Sequence, residues 1–445
     1  MILKNNNGYI LPSVLFISLL VTTLLFGILA IIFFYNNSNQ KMINKTKLDL
    51  ACYSALQQFI SNPISTLEAQ ELIIIDSIKV KLSSKLKGLY TQIATTAING
   101  KDSSKVIYLL GNKMSNTLEN AIIISKENLR ASVAGNTKVT GDMLLTSDKI
   151  KIGRISGIKS AGKNYLDGKI TIQEDIETKF FNEQLFLELF NNEELLISST
   201  GIDGSYNLDN ESINTLIHNK NSRINGDLII SGDIKSESYS NTNIIVSGEV
   251  ILRSESRLIA NLKIISDSSI TIEENTIIED AILFSKNKIV IEDNSQLKNV
   301  QLFSQKGIEI TRSEFKYPSI LFVYSNLDEE TNLNNKIKIE ASIVNGSIML
   351  INSTTGLSNN KNLIEIDEDS KIQGLVYCEN NCKIAGDVSG VIYTYSFWYY
   401  KEPTEYINWL VDVKVDRNKL NKAFLLPLGL TKVNNYDLLK ETWIN

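Results

Sequence analysis

The stretches LKIISDSSITI (262–272), AILFSKNKIVI (281–291) and VQLFSQKGIEI (300–310) follow one another at a constant offset of 19 residues. Working outward, Ile245, Ile264, Leu283, Leu302 and Leu321 form one apolar column. Their immediate followers Val246, Ile265, Phe284, Phe303 and Phe322 form a second. Ser247, Ser266, Ser285 and Ser304 make a hydroxyl column, while Ile270, Ile289 and Ile308 precede Ile272, Ile291 and Ile310 by two residues. An Ile-x-Ile alternation is the signature of a strand with one buried face, because successive side chains point to opposite sides. A return every 19 residues leaves no room for the crossover helices of an ordinary parallel sheet, so like residues are expected to stack directly over one another.

The expected fold class is therefore mainly β. It is a single-stranded parallel β-helix (a solenoid) of about 19 residues per rung, with a long N-terminal transmembrane α-helix and a C-terminal cap. Right-handedness is the default, since crossovers between parallel strands prefer that hand. Similar rungs at 144–152 and around Gly141, Gly226, Gly248, Gly346 and Gly386 set the boundaries. The chain divides into a leader (1–8), a membrane and stalk helix (9–60) and a small β connecting region (61–129). A first solenoid block (130–176), a helical insertion (177–221), the main solenoid (222–397) and a cap (398–445) complete it. The insertion is marked by Phe181, Leu185, Leu189 and Phe190 at helical spacing and reads as a lid over a flank of the coil. The last segment abandons the rung pattern and concentrates aromatic residues, as expected of a cover for an exposed strand edge.

From Ile10 to Tyr35 no charged residue occurs. At 1.5 Å per residue that run exceeds the roughly 30 Å of a bilayer's hydrocarbon core. It is followed by NNSNQK rather than a small-residue cleavage site, which favours an anchor over a removed signal peptide. The helix is expected to continue beyond the membrane, with Leu48, Ala51, Cys52, Ala55, Leu56 and Phe59 on one face.

Lys4, three Asn, Gly8, an aromatic Tyr9 and the apolar run together resemble the leader of type IV prepilin-like proteins. The resemblance implies cleavage by prepilin peptidase between Gly8 and Tyr9. Ser13 stands where most pilins carry a carboxylate, so the first 60 or so residues are similar to PilX-like and GspK-like minor members. It further implies a pilin-like or pseudopilin-like structural subunit, other pilin-like subunits as partners, and a bacterial cytoplasmic membrane with the N-terminus inside and the coil in the periplasm or beyond. The stacked coil is itself similar to bactofilins, which polymerise, and to pectin-lyase-like proteins that bind or cleave polysaccharides, so a glycan is a further candidate partner.

No catalytic residue, metal site or cofactor is expected, and the reading is of a protein that is not an enzyme. The 45 basic and 50 acidic residues provide no basic field for nucleic acid. Phosphate-loop, dinucleotide, zinc-protease and nucleophile-elbow motifs are missing from the sequence, and the one histidine, His218, has no neighbouring cysteine. Glu273, Glu274, Glu279, Asp280, Glu292 and Asp293 follow strands at positions where turns are polar anyway. Cys378 and Cys382, four apart in YCENNCK, either close a small disulfide loop or remain two thiols, since no further ligands complete a metal site. Cys52 reads as helix packing. Trp398, Tyr399, Tyr400 and Trp409 read first as part of the cover over the last rung, with a candidate partner surface as the alternative.

Overall fold

A computed structural model describes residues 10–61, 67–73, 78–115, 117–147, 150–155, 157–176, 181–190, 200–209, 212, 221–235, 242–325, 335–352, 362–430 and 436–440. Gly8, Tyr9 and His218 lie outside the described residues. Two compact units emerge: one takes residues 1–86, 91–109 and 440–445, the other 87–90 and 110–439.

In the first unit a single helix, α1 (Ile10–Ser61), has two halves of different character. Its leading part is apolar and fully uncovered, with Phe26 69% and Phe34 76% exposed, and it is the one described helix long and apolar enough to cross a membrane. The trailing turns bury Leu48, Ala51, Cys52, Ala55, Leu56 and Phe59. The Cys52 thiol there faces the Ser104 carbonyl at 3.6 Å, and Ser104 donates a 2.5 Å bond to Asp49 of the helix. The strands Leu67–Ile73, Lys79–Lys87, Tyr90–Asn99 and Asp102–Asn112 follow in chain order in one sheet. Chain-order strands need only short connections, which is how so short a stretch can form a sheet.

The second unit is dominated by one 29-stranded, mostly parallel sheet. Leu283 pairs with Leu302 and Leu302 with Leu321, while Phe284, Phe303 and Phe322 lie in the adjoining column. Every aliphatic of the first column is buried, and each contributes about 1.5–3 kcal/mol by leaving water. One step of the expected register is displaced. Ile264 pairs with Ile244, and Ile245 with Ile265, so the hydroxyl column begins at Ser266 opposite Val246 rather than at Ser247. The serines do not bond one another. Ser285 Oγ donates to the Ser268 carbonyl of the previous turn at 2.6 Å and accepts from the Asn287 N–H at 3.0 Å, and Ser304 repeats this with Asn287 and Lys306.

The expected open coil is corrected by the way the sheet ends. Lys414–Asp416, placed by the sequence in a cap, pairs in parallel with Asp387–Lys401 on one side and Lys138–Thr140 on the other. Ile122–Ile124 pairs with Ile392–Thr394 and with Met143–Leu145, and further pairings join Lys138–Thr140 to Leu166–Asp167 and Met143–Leu145 to Ile170–Ile172. The strands near 122–172 therefore continue from the C-terminal strands instead of leading into those at 222, and the sheet is barrel-shaped rather than a solenoid. The physical reason is edge satisfaction: unpaired strand edges are costly and aggregation-prone, and closure removes them where a cap would merely cover them. Thr200–Asp203 and Tyr206–Leu208, within the expected helical insertion, also join the sheet.

The short helix α2 (Glu183–Phe190) packs on the sheet's aromatic column. Phe186, not one of the residues singled out by helical spacing, stacks on Phe322 at 5.0 Å and Tyr324 at 4.7 Å and tilts against Phe284 and Phe303. Phe181, just before the helix, meets Phe322 at 5.2 Å. Lys263 donates to the Leu189 carbonyl in the last turn, where a cation complements the helix dipole.

Candidate functional site

The closing strands build a polar groove. Along Ile343–Asn352, Lys371–Ile384, Asp387–Lys401, Lys414–Asp416 and Lys138–Thr140, alternate residues point out of the core. Val344, Ile372, Val388, Val415 and Val139 face inward and are buried. The outward positions form two rows. One runs Ile343, Lys371, Asp387, Lys414, Lys138, and the other contains Asn345, Gln373 and Ser389, with Asp416 opposite Thr140. These residues and Lys419 line a cavity of about 610 Å³. A second cavity of about 200 Å³ shares Asn345 and Gln373 and adds Tyr317, Asn421 and Phe424. Beside it the Gly346, Gly374 and Gly390 backbones stack so closely that a Cβ on Gly374 would overlap the Gly346 carbonyl oxygen. A side chain there would push the strands apart.

Charge in the groove is unbalanced. Lys414 pairs with Asp387 at 3.2 Å and Lys419 with Asp416 at 3.4 Å, which uses both carboxylates. Lys138 and Lys371 are exposed and have no ion-pair partner among the described residues. At one end Tyr317 and Phe424 meet at 5.3 Å, and the Tyr317 hydroxyl accepts the Leu425 N–H at 2.7 Å while burial pushes its pKa upward. Sequence reading missed this groove, because Lys138 lies more than 230 positions before Lys371 and Lys414 and becomes their neighbour only through closure.

The aromatic segment divides in two. In the antiparallel pairing of Asp387–Lys401 with Thr404–Ile407, Trp398 faces Ile407 and Tyr399 faces Tyr406. Tyr399, Tyr406 and Trp409 pack against a small core of Ala134, Ile155 and Val411, so Tyr399 and Trp409 have a covering role. Trp398 and Tyr400 lie on the other face with rings 6.1 Å apart and nearly parallel, and Tyr400 is 46% exposed.

Cys378 and Cys382 are free and fully buried in the main core, so the small disulfide loop is not formed. Cys378 approaches the Asn381 carbonyl at 3.3 Å, and burial followed by its neighbour Cys382 pushes its thiol up. Four of the six carboxylates after the strands, Glu273, Glu279, Asp280 and Asp293, are engaged in structural bonds. Glu273 accepts from the Ser254 N–H at 2.9 Å and from Arg253 at 2.7 Å, and the backbone bond leads in holding its carboxyl below the usual range. Asp293 pairs with Arg312, and Glu279 with Lys298. Asp280 is raised by burial, opposed by the charge of Lys87 3.5 Å away.

No family model, curated protein or solved structure matches the chain. The resemblance of the N-terminal segment to PilX-like and GspK-like minor pilins is thus unsupported by these comparisons. The pilin-like function drawn from it falls as well, and so do the bactofilin-like and pectin-lyase-like functions, since a barrel-shaped sheet replaces the coil on which those two rested.

Proposed function

We propose that the protein is a non-catalytic binding module held at a membrane by one helix. The anchoring half of this statement is direct, because α1 is the single membrane-spanning segment among the described residues. That observation carries the reading. An uncovered apolar run that continues without a break into buried turns ties its own unit to the bilayer through rigid helix rather than a loose linker. The non-catalytic half draws on the use made of polar groups: Glu273, Glu279 and Asp293 pair with Arg253, Lys298 and Arg312 of neighbouring turns. In this reading the residues preceding α1 stay in the cytoplasm and the β-rich part lies on the far side of the cytoplasmic membrane.

Alkaline extraction of membranes tests the anchor. The full chain should stay in the pellet, and a chain beginning at residue 36 should be released; full-length protein in the supernatant overturns the reading. Protease added to intact spheroplasts should digest the β-rich part, whereas protection until lysis reverses the orientation.

A further inference from the structure

We propose that the groove at the sheet closure binds an extended acidic peptide, its apolar end on Tyr317 and Phe424 and its carboxylates on Lys138 and Lys371. This inference rests on the binding half of the function proposed above and is independent of the membrane anchor.

Three features of the groove select that occupant. Charge comes first: two lysines are already matched by Asp387 and Asp416, leaving Lys138 and Lys371 exposed without an ion-pair partner among the described residues. They sit on either side of the Asp387–Lys414 pair in one row. Three inter-strand steps separate them by about 14 Å. Two ammonium groups so spaced favour a ligand with carboxylates distributed along it over one compact anion. Second, Asn345 and Gln373 are paired across neighbouring strands and line both cavities. Each side-chain amide offers a donor and an acceptor, which matches the alternating C=O and N–H of an extended main chain. Third, the smaller cavity ends on the Tyr317 and Phe424 rings, a place for an apolar side chain at one terminus of the ligand. The row from Ile343 to Lys138 spans four inter-strand steps, about 19 Å, the length of roughly six extended residues.

The test uses the full chain in lipid nanodiscs and the fluorescein-labelled hexapeptide FSGDEE, read by anisotropy. Saturable binding that weakens with added salt is expected, because the exposed charges are screened. Lys138→Gln with Lys371→Gln should weaken it at least about tenfold, the effect of losing two charge-assisted contacts of modest strength. Gln373→Ala should weaken it by a smaller factor, and Lys101→Gln should leave it unchanged. Because both groove lysines are exposed, the double variant should keep its unfolding midpoint, which separates lost binding from lost folding. No binding, equal binding of FSGKKK, or binding indifferent to the double variant overturns the proposal. So does displacement by polygalacturonate or polyphosphate at lower concentration than by unlabelled peptide, which would make the groove a site for another polyanion. Membrane-retained protein that fails to hold the peptide removes the groove proposal alone. Cleavage of the peptide, followed by mass, removes the non-catalytic reading instead.

Discussion

Phe186→Ala should release α2 from the sheet while leaving the sheet folded. The Phe186 ring is 2% exposed and touches four aromatic rings, two of them stacked at 5.0 and 4.7 Å. Truncating a buried Phe costs about 3–5 kcal/mol, and lost aromatic pairing lies within that range. At roughly 4 kcal/mol the docked population falls by close to a thousandfold. An eight-residue helix cannot compensate, since isolated helices shorter than about 12 residues are marginal in water. Hydrogen exchange followed by mass spectrometry should show protection lost at residues 185–190 and kept at 282–310. Lys263 gives a second readout. Burial lowers its pKa to about 8 beneath the helix, so undocking should return it toward the ordinary lysine value in an NMR titration of the side chain. The clasp is overturned if α2 stays protected until the whole sheet unfolds, with the global midpoint carrying the full loss.

The same lysine makes α2 docking depend on pH. Its folded pKa is depressed, so the burial penalty is fully felt below pH 8 and fades as pH climbs toward the unfolded value of 10.5; docking should tighten by up to about 3 kcal/mol across that window, and Lys263→Met should flatten the profile in hydrogen exchange corrected for intrinsic rates. Ala341 has a φ of 46° in an exposed turn, where a β-carbon is disfavoured; Ala341→Gly should raise stability by about 1 kcal/mol in urea unfolding. Gly374→Ala should destabilise by about 3 kcal/mol, since it sets a β-carbon into the Gly346 backbone at a φ of 149°; a variant as stable as the parent would show that the glycine stack is not tight.

Local pairing was legible in the sequence and global order was not. The columns through Leu283, Leu302 and Leu321 could be read because each turn there has the same length. The misregister at Ile245 arose where Ile244 and Ile264 are 20 apart, a length change that the adjacent isoleucine pairs 244–245 and 264–265 conceal. Phe186 was overlooked because nearly every residue from Leu185 to Phe190 is apolar, so several helical faces fit the pattern equally well. Trp409 and Trp398 could not be told apart either. Composition marks an aromatic cluster, but only strand alternation decides that Trp409 covers a core while Trp398 stacks with Tyr400 on the opposite face.

Closure was beyond such reading for a more general reason. A constant offset specifies which strand follows which, and an open coil and a barrel-shaped sheet share that information. They differ only at the ends, where pairing is set by edges that must be satisfied and not by repeated length. The strands that close the sheet, at 122–124, 138–140, 143–145 and 414–416, lie outside the 19-residue register. Fold and site are therefore one problem here. The pairings of Asp387 with Lys414 and of Lys414 with Lys138 remove two exposed edges, and the same pairings set an unmatched lysine beside a neutralised carboxylate. A chain stopped before Lys414 would lose the closing strand and the groove together, whereas one lacking only the two unpaired lysines would keep the strand and lose the charge.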